Sequence, residues 1–179
     1  MGFTIQQNQT KVKAAWRFQT NAELSEVHLL ECSATLAEGF DPVAGQLSLV
    51  LELESRVLEA PSGNARFSVR AVVHGKSADG KAPQDEFFTV SCRYALEYTL
   101  RSGYSASLED LDAFKEGNAV FHCWPYFREM VQNIAMRMGL HLTPLPLLRL
   151  AAKPGPKKRP TEPISQAGVK AVSDGGNAE

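Results

Sequence analysis

Apolar and polar residues alternate along four stretches of the first hundred residues, a pattern typical of half-buried β-strands. The first stretch starts at Val27 and has one face formed by His28, Leu30, Cys32, Ala34 and Leu36. The other three lie within residues 47–57, 66–74 and 88–100, and polar segments rich in turn-forming residues separate them. Parallel strands would need longer crossover connections, so these short connections predict an antiparallel meander.

The pattern becomes helical after the fourth predicted strand. Ser107 and Asp110 have the spacing of an N-terminal cap, which predicts a short helix. Apolar residues then recur in steps of three and four, as they do along one side of a longer helix. This apolar stripe consists of Val120, Trp124, Phe127, Val131, Ile134 and Met138. Because proline lacks an N–H donor, Pro125 predicts that the long helix begins near Trp124 or kinks there, and Gly139 is expected to end it.

These elements predict an α+β fold, with a four-stranded antiparallel meander followed by a short helix and a long helix packed on one face. We divide the chain into an N-terminal arm at 1–22, one folded domain at 23–150, and a disordered Pro/Lys/Gly-rich tail at 151–179. Near the end of that domain, Pro144 and Pro146 interrupt an apolar run, which predicts a segment extended against an apolar surface. Deletion of the chain after Leu150 is expected to leave the fold intact.

Composition narrows the classes of protein to consider. Hydrophobic residues make up 44% of the chain and charged residues 22%, which is typical of a folded globular protein. A net charge of −1 gives no basic field for phosphate, so nucleic acid is not an expected partner. Stable membrane insertion is not expected either, because no apolar run reaches the roughly 20 residues needed to cross a bilayer. Without a secretory signal pattern, we expect a cytoplasmic protein with reduced cysteines.

Candidate chemistry is sparse in this sequence. His122 and Cys123, near Glu129, form the one place where a thiol enzyme is conceivable, but neighbouring helical residues point about 100° apart. Neither a phosphate-binding glycine loop nor a metal-ligand spacing occurs, and the other histidines, including His28 and His74, are isolated in the sequence. We therefore expect no catalytic residue, no metal and no cofactor.

One segment, from Asn118 to Gly139, resembles the signature helix of SecB-type export chaperones. Its centre, Trp124-Pro-Tyr-Phe-Arg-Glu129, is similar to the family's aromatic-Pro-Tyr-x-Arg-Glu pattern. The resemblance implies an ATP-independent holdase, built as a homotetramer from two dimers, that keeps non-native polypeptides from aggregating. Some relatives hold the antitoxin of a toxin–antitoxin system, and the Pro-rich tail is more similar to that branch. His141 and Thr143 depart from the Pro-Pro element that usually follows the helix.

These considerations assign roles to three groups of residues. The expected client-binding residues are Tyr94, Tyr98, Trp124, Tyr126, Leu142, Leu145, Leu147 and Leu148. The expected oligomer interface consists of Val120, Phe127, Val131, Ile134 and Met138. The acidic surface by which such chaperones meet an export motor ATPase is loosely matched by Glu52 and Glu54.

Two alternatives stay open at the level of the sequence. A small-molecule carrier would enclose an apolar pocket between the sheet and the helix. A thiol enzyme using Cys123 would need a reactive, accessible thiol.

Overall fold

The computed structural model describes residues 3–38, 47–77 and 86–153, and these ranges contain six strands and three α-helices. In chain order they are β1 Phe3–Gln7, α1 Gln9–Gln19, β2 Ala22–Leu36, β3 Leu47–Glu59, β4 Asn64–Ser77, β5 Glu86–Leu100, α2 Leu108–Phe114, α3 Val120–Arg137 and β6 Leu148–Ala152. A π-helical turn, Lys115–Ala119, joins α2 to α3.

The main sheet has four antiparallel strands in the order β2-β5-β4-β3. The predicted α+β class is confirmed, with α2 and α3 following the four strands of the main sheet. One pairing differs from a simple meander, because β2 lies beside β5 while β3 forms the opposite edge. This is a Greek-key arrangement. Alternation along a sequence identifies strands but not their neighbours, which explains the difference.

Strand β2 contains two irregularities that shift its alternation. Its register against β5 slips after Leu24 and again after Leu29. An extra residue in a strand exchanges the faces of the residues that follow it. Cys32 therefore lies on the helix-facing inner face of the sheet, whereas His28 lies on the outer face and Leu30 falls in the second irregularity. The prediction that these three residues share one face is wrong for this reason.

The helical region begins as predicted and then runs longer without a break. Ser107 Oγ accepts a hydrogen bond from the Asp110 amide at 3.1 Å, and the Asp110 carboxylate accepts one from the Ser107 amide at 3.4 Å. This capping box opens α2, and α3 follows through the π-helical turn. Helix α3 starts at Val120, four residues before the expected start, with Pro125 inside it. Pro125 is exposed on the helix surface, so its ring does not intrude on the core.

Helix α3 places its apolar stripe on the inner face of the sheet. Phe127 and Val131 are no more than 2% exposed and pack in one cluster with Phe67 and Leu96 of the sheet. Burial of each such side chain contributes about 1.5–3 kcal/mol relative to full exposure. This contact fixes the position of α3 on the sheet, and with it the position of the residues that follow α3 in the chain.

Helix α1 belongs to the same core. Phe18 is fully buried, with its ring centroid 4.3 Å from that of Phe114, 5.5 Å from that of Phe67 and 5.9 Å from that of Tyr98. The region predicted as an arm thus includes a helix that packs on both α2 and the sheet.

The two ends of the described chain meet in a second, two-stranded sheet. Strands β1 and β6 are parallel, with Phe3 opposite Leu148 and Gln7 opposite Ala152. The Lys153 amide donates to the Gln7 carbonyl at 2.7 Å. Strand β6 therefore extends two residues past the expected domain boundary at residue 150, and residues 154–179 of the expected tail lie outside the described residues.

The contact between α1 and α2 predicts a pH effect on stability. Burial raises the pKa of Asp110, but hydrogen bonds from Arg17 and Ser107 outweigh it and leave the pKa lowered. A carboxyl with a lowered folded-state pKa stabilises the fold above its unfolded pKa of about 3.9 and loses that contribution as the pH falls further. Asp110→Asn should cost about 1–2 kcal/mol at pH 7. In urea titrations, the difference from the parent should shrink below about pH 4; a difference independent of pH would contradict this assignment.

Candidate functional site

The segment after α3, residues 140–147, lies extended beside that helix and is called the proline segment below. Gly139 has a positive φ of 74°, which glycine adopts without steric cost. The Leu140 amide donates to the Ala135 carbonyl at 2.8 Å and the Gly139 amide to Met136 at 3.1 Å, which together form a Schellman motif. This cap reverses the chain so that the proline segment runs back along α3.

Side chains of α3 hold the proline segment by its backbone. Three residues spaced four apart on the helix donate hydrogen bonds to carbonyl groups of the segment. The pairs are Trp124 Nε1 with Pro146 O at 3.0 Å, Arg128 Nε with Leu145 O at 2.6 Å, and Gln132 Nε2 with Leu142 O at 3.4 Å. Proline can neither continue a helix nor donate to a ladder, so side-chain donors take the place of strand pairing.

The proline segment divides its leucines between the core and the surface. Leu145 is 3% exposed, whereas Leu147 is 67% exposed and Leu142 is half-buried. Met136, on the last turns of α3, is 60% exposed. Between Met136 and Leu142 lies a cleft of about 510 Å³, which Gln132 also lines. The prediction of an extended apolar segment is thus matched by a surface with uncovered side chains.

A second uncovered patch lies on the other side of α3, beside β2. Tyr126 is 42% exposed, and its ring centroid is 6.4 Å from that of buried Tyr94. Tyr94 donates a hydrogen bond through its hydroxyl to the Tyr126 carbonyl at 3.2 Å. Leu29, 44% exposed, stands opposite Tyr94 in the sheet. Tyr126 and Leu29 therefore lie beside β2, which is an edge strand of the main sheet as far as the described residues show.

The expected client-binding residues do not share one environment. Five of the eight are no more than 5% exposed in this chain, namely Tyr94, Tyr98, Trp124, Leu145 and Leu148. Tyr98 is also fixed by a 2.9 Å hydrogen bond between its hydroxyl and His122 Nδ1. Three retain accessible surface, namely Tyr126, Leu142 and Leu147. The sequence analysis assigned no role to Met136, which is exposed. Its position outside the apolar stripe of α3 was the available signal.

The expected oligomer interface is divided in a similar way. Val120, Phe127 and Val131 are buried against the chain's own sheet, whereas Ile134 and Met138 are half-buried. The last two are the members of this group that have surface left for another subunit. The interface stays a prediction.

Glu52 and Glu54, the expected docking residues, lie exposed on the outer face of the sheet. Glu54 Oε1 accepts a hydrogen bond from Arg56 Nε at 2.7 Å, and Glu52 Oε1 is 3.7 Å from His74 Nε2. Arg70 lies opposite Glu54 on the neighbouring strand. This face carries both signs of charge, so it is not a purely acidic surface.

The geometry does not support the two alternatives. Cys123 is 1% exposed, and burial raises the pKa of its thiol to about 12, which opposes formation of a nucleophilic thiolate. His122 is instead hydrogen-bonded to Tyr98, and burial lowers its pKa. The space between sheet and helix, where a carrier would hold its ligand, is filled by side chains such as Phe67 and Phe127.

Two histidines depart from the expectation of isolation, because His74 lies beside Glu52 and Glu86, and His28 lies beside Glu26 and Glu97. His28 Nε2 is 2.7 Å from Glu26 Oε2 of the same strand and 3.8 Å from Glu97 Oε1, which the pairing of β2 with β5 brings close. Glu26, His28 and Glu97 each have one possible metal-ligand atom within 4.8 Å of those of the other two residues. Glu97 Oε1 also lies 3.1 Å from Nε of Arg66, a cation that competes with any metal ion for this carboxylate. Of the helices in the described ranges, none has the length and apolar character of a membrane span.

Comparison with known proteins gives an informative likeness among solved structures. No protein-family model and no curated protein matches this chain. One matching solved structure is that of the Mycobacterium tuberculosis SecB-like chaperone Rv1957 in complex with a ChAD peptide from the Rv1956 HigA1 antitoxin. The match has a TM-score of 0.63 at 21% sequence identity and covers 75% of this chain and 94% of that chain. A Streptococcus agalactiae protein of unknown function matches at 9% identity with a TM-score of 0.39, over 70% of this chain and 95% of its own, and carries no argument.

This chain therefore has a SecB-like fold. The sequence resemblance is confirmed at that level.

Proposed function

We propose that this protein is a cytoplasmic, ATP-independent chaperone that holds extended segments of non-native polypeptides and prevents their aggregation. The observation that carries the proposal is the uncovered apolar surface along the proline segment and the end of α3, in a fold shared with a SecB-like chaperone. That chaperone was solved with an antitoxin peptide, which supports a polypeptide as the ligand of this chain.

The surface has the properties that binding of extended chains requires. Met136 and Leu147 are both more than half exposed, and the cleft beside Met136 and Leu142 offers a place for an apolar side chain. Across α3, Tyr126 offers apolar surface beside β2, which is an edge strand among the described residues and to which an extended client could add as a further strand. Several weak contacts on one assembly then combine through effective concentration.

The charge distribution on the outer face of the sheet gives little support for docking to an export motor ATPase. Glu54 is paired with Arg56, and Arg70 and Arg93 lie opposite each other on the same outer face. This mixed face is a weak match to an acidic motor-docking surface. We therefore infer that antitoxin-like segments are the first clients to test, with preproteins second.

The direct test is suppression of aggregation of a chemically unfolded substrate, measured by light scattering with and without ATP. We expect full suppression in both conditions, because no described feature binds nucleotide phosphates. If the protein leaves aggregation unchanged at a several-fold molar excess, the holdase proposal fails.

Replacing Met136 and Leu147 together by serine should weaken client binding. Loss of two partly exposed apolar side chains, each worth about 1 kcal/mol on burial, corresponds to at least a tenfold rise in Kd. Fluorescence anisotropy with labelled, carboxymethylated α-lactalbumin measures this change. Leu108→Ser is the matched control, since Leu108 is 81% exposed on α2 and lies outside the proposed surface. Equal affinity of the double variant and the control would place the client site elsewhere.

Self-association into a homotetramer is the second part of the proposal. Ile134 and Met138 keep exposed apolar surface beside the buried part of the stripe. Ile134→Asp should reduce the assembly to smaller species, because an unpaired charge in an apolar contact is strongly unfavourable. Asn133→Asp introduces the same side chain at an exposed neighbouring position and should remain tetrameric. Multi-angle light scattering at micromolar concentration measures both, and a monomeric parent would refute the tetramer.

A further inference from the structure

Two of the three cysteines stand side by side in the main sheet. Cys32 on β2 and Cys92 on β5 are direct partners in the antiparallel register. Their sulfur atoms are 3.4 Å apart, and both are free thiols. Sixty positions separate them in the sequence, so only the pairing of the strands brings them together.

The backbone already has the geometry that a disulfide requires. Directly opposed residues in an antiparallel pair have Cα atoms about 4.5 or 5.5 Å apart. Disulfide-linked residues usually have Cα separations of about 4.4–6.8 Å. Bond formation between Cys32 and Cys92 thus needs adjustment of the side chains and little movement of the strands.

The two thiols differ in their access to an oxidant. Cys32 is exposed on the edge strand, whereas Cys92 is fully buried. Burial, followed by contact with Cys32, raises the pKa of Cys92 and keeps it protonated. A small oxidant in solution therefore reaches Cys32 first, and Cys92 is positioned to react with the oxidised product.

We propose that Cys32 and Cys92 form a reversible cross-strand disulfide in response to a peroxide oxidant. Hydrogen peroxide oxidises the Cys32 thiol to a sulfenic acid and is itself reduced to water. The Cys92 sulfur then forms a bond to the Cys32 sulfur, the S–OH bond breaks, and the departing hydroxide takes the Cys92 proton to leave as a second water molecule. Two thiols and one peroxide thus give one disulfide and two waters, and a dithiol reductant reverses the change.

The bond would act on an exposed edge of the main sheet. Residues 28–36 of β2 are all exposed, and β2 is an edge strand held to the sheet through β5. A covalent link at Cys32 lies within this stretch and ties it to buried β5. Oxidation should therefore suppress local opening of β2 without altering the fold.

The test treats the full-length protein with hydrogen peroxide and then counts thiols after denaturation. We expect the count to fall from three to one, and peptide mass mapping to show an intramolecular Cys32–Cys92 link that dithiothreitol removes. Hydrogen exchange of β2 amides should be slower in the oxidised protein. Cys123→Ser should form the same link, because its thiol is not involved, whereas Cys32→Ser should form none.

Three results would overturn the proposal. They are a Cys32 sulfinic or sulfonic acid beside a free Cys92 thiol, a link that joins Cys32 of two chains, and persistence of all three thiols. Each can be read from the parent protein, so the proposal does not depend on a variant that might fold poorly. If the protein does not bind clients, the disulfide is still expected to form, because its formation requires only the paired strands β2 and β5.

Discussion

Replacing Phe18 by alanine should lower the free energy of unfolding by about 3–5 kcal/mol. Phe18 is fully buried where α1, α2 and the sheet meet, and its ring contacts those of Phe67, Tyr98 and Phe114. Truncation removes apolar burial and leaves a cavity among aromatic rings that cannot easily collapse. Because native domains are stable by only about 5–15 kcal/mol, this one change removes a large part of the total.

Urea denaturation followed by circular dichroism measures the Phe18→Ala effect, and Trp16→Ala is its control. Trp16 lies on the same helix but is 63% exposed, so its loss should change the stability by no more than about 0.5 kcal/mol. Similar small effects of both variants would mean that α1 is a detachable arm. A large effect of Phe18→Ala alone would make α1 an integral part of the domain.

Local signals in the sequence were sufficient for much of the fold. The alternation along β3, β4 and β5 was clear because each strand has one face on the core and one in solvent. The cap at Ser107 was predictable, since its hydrogen bonds join residues three apart. Gly139 ended the helix for a similarly local reason, its positive φ.

Features that depend on distant partners were not predictable. Strands β1 and β6 pair the two ends of the described chain, and neither has a strong pattern alone. The irregularities in β2 shift its alternation in a way that only its register with β5 shows. The π-helical turn at Lys115–Ala119 carries the helix through Gly117 and Asn118, two residue types with low helix propensity. Both residues are buried beside α1 and β1, so tertiary packing overrode the local signal.

In the candidate site, too, local features were predictable from the sequence and features that depend on distant partners were not. The prolines predicted correctly that residues 140–147 are extended, because the constraint is in the residues themselves. Which leucines remain exposed depends on how Trp124 and Arg128 hold the segment against α3. Tyr94 and Tyr98 were expected to bind clients, but the inner face of the sheet that they share is the one that the helices cover.

The end of the chain allows a sharp test of where the fold stops. Truncation after Lys153 should change the free energy of unfolding by no more than about 0.5 kcal/mol, because it keeps every residue of β6. Truncation after Leu147 should cost at least about 1.5–3 kcal/mol, the value of burying one side chain such as Leu148, which is 5% exposed. The larger truncation also removes the partner strand of β1.

Thermal and urea unfolding of the two truncated proteins, compared with the parent, measure this difference. Truncation after Leu150 should fall between them, because it keeps Leu148 but removes Ala151 and Ala152, the partners of Gln6 and Gln7. It also removes the Lys153 amide that donates to the Gln7 carbonyl. If truncation after Leu147 is as stable as the parent, β6 contributes nothing to the fold, and the domain ends with the proline segment. If truncation after Lys153 is strongly destabilised, residues 154–179 contribute to stability, contrary to the expected disordered tail.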